Sequence, residues 1–130
     1  MTVVDASILA TALADDGADG DRARSRLAGE ELAAPELIDL EVTSVWRRMV
    51  RRDQLPPRRA SLALEDLVSL PLARASHARL LRRCWELRDS LTMYDAAYVA
   101  LAEALNVILV TADRGLAGAS RIRCRVEVIA

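Results

Sequence analysis

The chain alternates short apolar runs with longer segments of mixed polar and apolar residues. Short runs bounded by polar or turn-forming residues predict strands, here over residues 2–5, 31–34, 72–74, 107–111 and 125–129. The longer segments carry apolar residues at helical spacing, as in Ile38, Val45 and Met49. They predict helices over residues 8–14, 22–28, 36–52, 58–70, 77–88 and 93–105.

Residues suited to helix ends support several of these boundaries. Ser7, Ser76 and Thr92 are placed to cap the helices that follow them, and Pro35 is placed to open the third helix. Aspartate and glycine at residues 15–17 and 19–21 predict a loop before the second helix.

The order of the predicted elements determines the predicted architecture. Strands that alternate with helices form a parallel sheet covered by helices on both faces. We therefore predict an α/β fold, a three-layer α/β/α sandwich with a mainly parallel sheet. The chain contains no internal repeat or linker-like segment, so residues 1–130 are expected to form a single domain.

Composition narrows the class of protein. The 130 residues are 52% hydrophobic, yet no apolar stretch approaches the roughly 20 residues that a membrane span needs. Met1 is not followed by a basic leader segment. Cys84 and Cys124 are far apart in sequence and are predicted to be free thiols. These features predict a cytoplasmic protein with no membrane association.

All 18 basic residues are arginine, although the formal net charge is −1. Codon usage in a GC-rich genome explains most of the absence of lysine, so only arginine clusters bear on function. Because guanidinium binds phosphate through a planar fork, a cluster along the third helix predicts a path for a phosphate backbone: Arg47, Arg48, Arg51 and Arg52. For a second cluster, Arg79, Arg82 and Arg83, a solvated helix face is an equally good interpretation.

Two acidic residues follow predicted strands. Asp5 ends the first apolar run, and Asp113 comes just after the run that ends at Thr111. Each has a hydroxyl two residues away, in Asp5-x-Ser7 and Thr111-x-Asp113. Either acid is compatible with an ordinary turn, but open α/β sheets place ligand sites at these strand ends.

Two further acids lie on predicted helices. Glu41 falls at the edge of the apolar stripe of its helix, near Leu37, Val45 and Arg48, where a carboxylate either enters a site or is solvated. Asp95 follows Thr92 at the spacing of a capping box, which is a structural alternative. However, the helix that follows is apolar on nearly all sides, and an acid entering it needs a partner.

Four carboxylates that meet in space repel one another unless a cation lies between them. Mg²⁺ and Mn²⁺ prefer carboxylate and water oxygens and need neither cysteine nor histidine. The sequence therefore predicts a divalent-metal site and a nuclease. We expect Asp5 and Asp95 to be the principal ligands and Asp113 to be a direct or water-mediated one. Glu41 is expected to orient or deprotonate the attacking water, or to hold a second ion.

Four segments resemble the successive motifs of PIN-domain ribonucleases, and more narrowly the VapC-type toxins: DAS (5–7), LIDLEVTSVWRR (37–48), LTMYDAAYVALAEAL (91–105) and VTADRGLA (110–117). The resemblance spans nearly the whole chain, but residues 56–88 match only in pattern. It implies that the family's four acids are Asp5, Glu41, Asp95 and Asp113, supported by Ser7 and Thr111. It also implies Mg²⁺- or Mn²⁺-dependent endoribonuclease activity, an RNA substrate, a cognate antitoxin and a homodimer.

Several other functions are compatible with parts of the pattern. Aspartyl-phosphate enzymes and receiver domains also place acids at strand ends, but they usually require a lysine, which this chain lacks. A binding module has no need of clustered acids. The main alternative is a PIN-domain nuclease that acts in RNA processing outside toxin–antitoxin biology. Trp46 lies opposite Arg48 by helical angle and is expected to face a groove or a dimer partner, with burial in the core as the alternative.

Overall fold

The computed structural model describes residues 1–129. Its sheet has five strands in the order β3-β2-β1-β4-β5, and each neighbouring pair is parallel. The strands are β1 (Thr2–Val4), β2 (Leu32–Pro35), β3 (Leu72–Ala75), β4 (Leu109–Thr111) and β5 (Val126–Val128). The predicted parallel α/β architecture is thus confirmed.

The strands are connected by helices that form two outer layers. These are α1 (Ala6–Ala14), α2 (Ala18–Leu27), α3 (Ile38–Arg51), α4 (Pro57–Ser69), α5 (Leu81–Glu86), α6 (Met93–Leu105) and α7 (Arg114–Ala117). α1 packs against α2, α3 and α4, whereas α6 packs against α5 and against β1, β2 and β4. Because parallel crossovers are right-handed, the reversal of strand order after β3 sends the later helices to the opposite face of the sheet. The result is a three-layer α/β/α sandwich.

The core lies where these layers meet the central strands. Val3, Val4, Leu109 and Val110 are fully buried in β1 and β4, as expected for strands covered on both faces. The middle of α6, residues 96–102, is buried on all sides. This burial explains why its sequence is almost continuously apolar and contains many alanines, which allow close approach to the sheet.

Several helix starts differ from the sequence-based expectation. Ser7 does not cap α1; the cap is Asp5, whose side chain accepts from the Ile8 backbone N–H. Pro35 ends β2 instead of opening a helix. Sheet pairing with β3 extends through Pro35, so α3 begins only at Ile38. The fixed φ of proline is compatible both with the end of a strand and with the first turn of a helix. Local sequence therefore does not distinguish these two positions.

The other differences are also local. α2 begins at Ala18, so residues 19–21, predicted as loop, form its first turn. The segment after Ser76 forms a 3-10 turn at Ala78–Leu80 before α5, and no side-chain cap stabilises it. α7 was not predicted, because residues 114–117 make barely one turn. The predicted Thr92 cap is confirmed, since its side chain accepts from the Asp95 backbone N–H.

Trp46 packs in the core between α3 and α1. Its side chain is 3% exposed, and its indole N–H donates to the Ala10 carbonyl oxygen at 3.2 Å. The expectation that it faces a groove or a dimer partner was wrong. The apolar stripe of α3 is wide enough to include Ile38, Val42 and Trp46 on its buried side.

The strand order places two chain segments distant in sequence side by side. β1 and β4 are neighbours at the centre of the sheet, and helices leave them toward opposite faces. Such a switch point opens a crevice beyond the carboxyl ends of the strands. No helix within residues 1–129 is long and apolar enough to cross a membrane.

Candidate active site

Asp5 lies at the centre of the crevice beyond β1 and is held by three donors. The Ser7 hydroxyl donates to Oδ1 at 2.6 Å, and the Ile8 backbone N–H donates to the same oxygen at 3.2 Å. The Thr111 hydroxyl donates to Oδ2. Burial raises the pKa of Asp5, and these hydrogen bonds counteract that effect without cancelling it. Asp5 is therefore an oriented carboxylate whose negative charge is poorly solvated.

Ser7 and Thr111 connect the ends of the two central strands. The Ser7 hydroxyl accepts from the Ala112 backbone N–H at 3.2 Å, and the Thr111 hydroxyl accepts from the Asp113 backbone N–H at 3.0 Å. Each hydroxyl also donates to Asp5. The two residues therefore position Asp5 relative to the loop that carries Asp113.

Asp113 caps the short helix α7 at the end of β4. Its Oδ1 accepts from the Gly115 backbone N–H at 2.8 Å. Oδ2 makes no side-chain or backbone hydrogen bond within the described residues. Its side chain is exposed and lines the same crevice as Asp5. The cap fixes one carboxylate oxygen and leaves the other facing the crevice.

Glu41 projects from α3 and meets a tyrosine from α6. The Tyr98 hydroxyl donates to Glu41 Oε1 at 2.6 Å. Burial is the largest cause of a raised pKa for Glu41; Asp95 and Asp5 raise this pKa further, and the Tyr98 hydrogen bond lowers it. The carboxylate thus lies within the field of two other acids.

Asp95 both starts its helix and faces the crevice. Its backbone N–H donates to the Thr92 hydroxyl at 3.1 Å, which forms one half of the expected capping box. Its carboxylate is half-buried and lines the crevice. Burial is the largest cause of a raised pKa for Asp95, followed by the charges of Asp113 and Asp5; Thr92 counteracts them. A role of Asp95 in the helix cap is therefore compatible with a role of its carboxylate in the site.

All four predicted acids line one cleft of about 530 Å³. Its walls are mostly apolar, and Arg48 is the one basic residue that lines it within the described chain. The remaining lining residues are Ala6, Ser7, Leu37, Leu40, Ser44, Val45, Tyr94 and Tyr98. Thr111 reaches the site indirectly, through its hydrogen bond to Asp5.

The donor set of this cleft fits a hard divalent cation. It offers carboxylate oxygens and neither cysteine nor histidine, which is the chemistry that Mg²⁺ and Mn²⁺ prefer. Burial first, and then the charges of neighbouring acids, raise the pKa of Asp95 and of Glu41, so a cation in the cleft would offset both effects. Across residues 1–129, however, no three acidic, histidine or cysteine side chains lie close enough to hold an ion directly. The carboxylates share a cleft without forming a closed cage, so bound water has to complete any coordination shell.

Sequence reasoning did not assign a site role to Tyr98 or Tyr94. The signal was available in their spacing, since Tyr98 follows Asp95 by three residues and Tyr94 by four, which places it next to each of them on the helix surface. The same rule relates Glu41 to Val45 and Arg48, and those predicted neighbours do line the cleft. What local spacing could not predict is the contact between Tyr98 and Glu41, which joins two helices.

The arginine clusters separate into different environments. Arg48 lines the acidic cleft, whereas Arg47 lies beside a shallow depression between α3 and α4. In the second cluster, Arg83 pairs with Glu103 at 2.6 Å and with Glu86 at 3.2 Å. Arg83 is thus held in ion pairs within the chain, and neither the phosphate path nor the solvated helix face describes its environment.

The family model described as the PIN domain matches residues 2–122. Ribonuclease VapC9 of Mycobacterium tuberculosis is 43% identical over 129 residues, covering 99% of this chain and 98% of the relative. Ribonuclease VapC1 of the same species is 41% identical over 128 residues, covering 98% and 96%. The chain belongs to the PIN-domain family, among the VapC ribonucleases, and the resemblance drawn from its motifs is confirmed.

Two solved structures share the fold of this chain. The crystal structure of PAE2754 from Pyrobaculum aerophilum superposes with a TM-score of 0.69 at 27% identity, covering 98% of this chain and 83% of that one. That of Mycobacterium tuberculosis VapC20, a sarcin-ricin loop cleaving toxin, gives a TM-score of 0.64 at 18% identity, covering 84% of this chain and 87% of that one. The second likeness supports the fold alone.

Proposed function

We propose that this protein is a divalent-metal-dependent endoribonuclease that acts as the toxin of a toxin–antitoxin pair. The observation that carries the proposal is the gathering of four acids from four separate segments in one cleft. Asp5, Glu41, Asp95 and Asp113 come from the end of β1, from α3, from α6 and from the end of β4. Folding by itself does not favour this arrangement, because it brings like charges near one another in a partly buried cleft.

The cofactor proposed for the cleft is Mg²⁺ or Mn²⁺. Asp5, Asp95 and Asp113 would hold it, partly through water. When bound, the ion supplies Lewis acidity to the phosphate and to the attacking water. The chain's own residues prepare for this chemistry: Ser7 and Thr111 orient Asp5, and the Gly115 N–H orients Asp113.

Glu41 is proposed to orient the attacking water and to accept its proton. One of its oxygens is occupied by the Tyr98 hydroxyl, which leaves Oε2 for water. The raised pKa of Glu41, caused first by burial and then by Asp95 and Asp5, makes its carboxylate a better proton acceptor than an ordinary glutamate. Arg48, at the wall of the cleft, is proposed to contact an RNA phosphate through its guanidinium.

The proposed partners are an RNA substrate and a cognate antitoxin. The relatives are named ribonucleases of the VapC type, and an active ribonuclease would damage the cell that makes it. We propose that an antitoxin helix lies in an apolar groove while an arginine or lysine reaches the carboxylates in place of the ion. A homodimer, a single domain over residues 1–130 and a cytoplasmic location are parts of the same proposal.

The alternative is a PIN-domain nuclease in RNA processing. An adjacent small gene encoding a DNA-binding antitoxin would favour the toxin; its absence would favour the alternative.

Two assays test the proposal. Purified wild-type protein should cleave RNA with Mg²⁺ or Mn²⁺ and not with EDTA, and expression of the chain alone should arrest growth. Asp5→Ala should abolish both effects, whereas Asp66→Ala, which removes an exposed acid of α4, should change neither. A metal-loaded wild type that leaves every RNA intact would contradict the nuclease; cleavage without growth arrest would contradict only the toxin.

A further inference from the structure

The Tyr98 hydroxyl connects two of the helices that build the cleft. Tyr98 lies on α6 one turn after Asp95, and its side chain is 2% exposed. Its hydroxyl donates to Glu41 Oε1 on α3 at 2.6 Å. The hydrogen bond therefore relates the helix that carries Asp95 to the helix that carries Glu41.

The position of the Tyr98 ring is determined by the core. Its neighbours Ala97, Val99 and Leu101 are buried, and α6 packs on three strands of the sheet. Burial, and next the hydrogen bond to Glu41, raises the pKa of the phenol above its ordinary value. The hydroxyl thus stays protonated and acts as a fixed donor.

Glu41 has fewer hydrogen-bond donors than Asp5 to hold its carboxylate in place. The charges of Asp95 and Asp5 repel the Glu41 carboxylate, and a flexible glutamate side chain can respond by rotating toward solvent. Asp5 has three donors, whereas the hydrogen bonds of residues 1–129 give the Glu41 carboxylate only Tyr98. Without this contact no hydrogen bond within residues 1–129 would hold the Glu41 carboxylate in one orientation.

We propose that Tyr98 is a positioning residue that holds the Glu41 carboxylate in the orientation in which its second oxygen meets the attacking water. This inference rests on the proposed ribonuclease function and specifies how one of its residues is kept in place. The competing explanation is that Glu41 merely satisfies a buried hydroxyl. In that case Tyr98 would contribute to folding and not to turnover.

A variant pair separates the two explanations. Tyr98→Phe removes the hydroxyl and keeps the ring. Thr2→Val is the matched control, because the Thr2 hydroxyl is equally buried and donates to the Glu30 carboxylate at 3.0 Å, at the opposite end of β1 from the cleft. Both variants lose one hydroxyl-to-carboxylate hydrogen bond, but only the first loses it at the site.

The measurements are kcat and KM for RNA cleavage with Mg²⁺, RNA affinity in EDTA, and thermal unfolding. For Tyr98→Phe we expect kcat to fall on the order of 10- to 100-fold, the range seen when a group that orients a catalytic ligand is lost. KM and RNA affinity should change by less than about threefold, because uniform binding is untouched. Thr2→Val should unfold at a lower temperature and keep the wild-type kcat.

A second variant separates the loss of the hydrogen-bond donor from an effect on folding. Replacing Tyr98 with 4-aminophenylalanine keeps the ring and restores a donor, and should recover most of the lost kcat. A folded Tyr98→Phe protein with the wild-type kcat would overturn the proposal. So would a Tyr98→Phe protein that does not fold, or a 4-aminophenylalanine variant that folds and stays as slow as Tyr98→Phe. These outcomes require an active wild type, whereas an inactive wild type would contradict the ribonuclease function itself.

Discussion

The Thr111 hydroxyl donates a hydrogen bond to Asp5 Oδ2, although the two residues are 106 positions apart in the chain. The contact exists because β4 pairs with β1, with Val110 opposite Val4. This hydrogen bond orients the Asp5 carboxylate and counteracts burial, which raises the pKa of Asp5. The central strand pair therefore builds the site as well as the core.

The first prediction concerns the balance between stability and activity. Asp95→Asn should abolish RNA cleavage and, in EDTA, should stabilise the protein by roughly 0.5–2 kcal/mol. The physical reason is that the Asp95 carboxylate is half-buried and, when no cation is present, is also repelled by Asp113 and Asp5. Chemical unfolding of wild type and variant, with EDTA and with Mg²⁺, provides the measurement. Mg²⁺ should stabilise the wild type more than the variant, since ligand binding favours the folded state.

Asp39→Asn is the matched control for Asp95→Asn. Asp39 also lies on a helix start, but it pairs with Arg74 at 2.7 Å outside the cleft. Its loss should destabilise the protein by up to about 1 kcal/mol and leave cleavage intact. If Asp95→Asn unfolds in every condition, Asp95 is mainly a structural residue.

The second prediction concerns pH. The pKa of Glu41 is raised in the folded protein from a value of 4.5. Between pH 4.5 and the raised pKa, Glu41 is therefore protonated in the folded state and ionised in the unfolded state. In EDTA, the wild type should therefore lose stability relative to Glu41→Gln as the pH rises from 4.5 through the raised pKa. Below 4.5 the pH dependence of this difference should vanish. Urea unfolding of both proteins between pH 4 and about 7.5 tests it.

Glu103 offers the opposite sign for comparison. Burial works to raise its pKa, but Arg83 and Arg123 outweigh burial, and the pKa is lowered from 4.5. The wild type should thus gain stability relative to Glu103→Gln as the pH rises toward 4.5 and lose it as the pH falls through the lowered pKa. The curves for the Glu103 pair therefore have to extend below pH 4. Slopes of the same sign for the two pairs, each in its own pH window, would show that the Glu41 effect does not come from its site.

The third prediction concerns RNA. Arg51 and Arg52 continue the helix that carries Glu41 and Arg48 and are exposed. If they contact phosphates, the double variant Arg51→Ala, Arg52→Ala should bind RNA more weakly. The slope of log affinity against log salt should become shallower by about 0.7 for each lost contact to a single strand. Binding titrations in EDTA at several salt concentrations measure this slope.

Arg58→Ala serves as the control for the arginine variants, because Arg58 is an exposed residue at the start of α4 that does not line the cleft. It should leave the slope unchanged. An unchanged slope in the Arg51, Arg52 variant as well would remove this end of α3 from the RNA path.

The fourth prediction compares the two tryptophans. Trp46→Ala should lower the free energy of unfolding by about 3–5 kcal/mol, because it leaves a cavity in the core. It also removes the hydrogen bond from the indole N–H to the Ala10 carbonyl oxygen. Trp85 is 62% exposed and stacks under Arg88, whose guanidinium carbon lies 4.8 Å from the ring centroid. Trp85→Ala should cost at most about 1 kcal/mol. Equal losses of stability would contradict the assignment of Trp46 to the core.

The class of fold and the acids that line the cleft were predictable from the residue pattern alone. Strand and helix periods differ, so the alternation of elements was visible in the residue pattern. Asp5 and Asp113 were predictable as residues at strand ends, and parallel sheets gather those ends on one edge. Glu41 was predictable as a residue at the rim of an apolar stripe because helical spacing is regular.

Contacts between side chains of different helices and strands were not predictable from the residue pattern. The donation from Tyr98 to Glu41 joins α6 to α3, and that from Thr111 to Asp5 joins β4 to β1. Such contacts depend on strand order and on the distance between packed layers. A short segment of sequence carries no information about either. For the same reason Pro35 was wrongly expected to open α3: pairing with β3 holds it in a strand, and a contact made 40 residues away along the chain overrides its local preference.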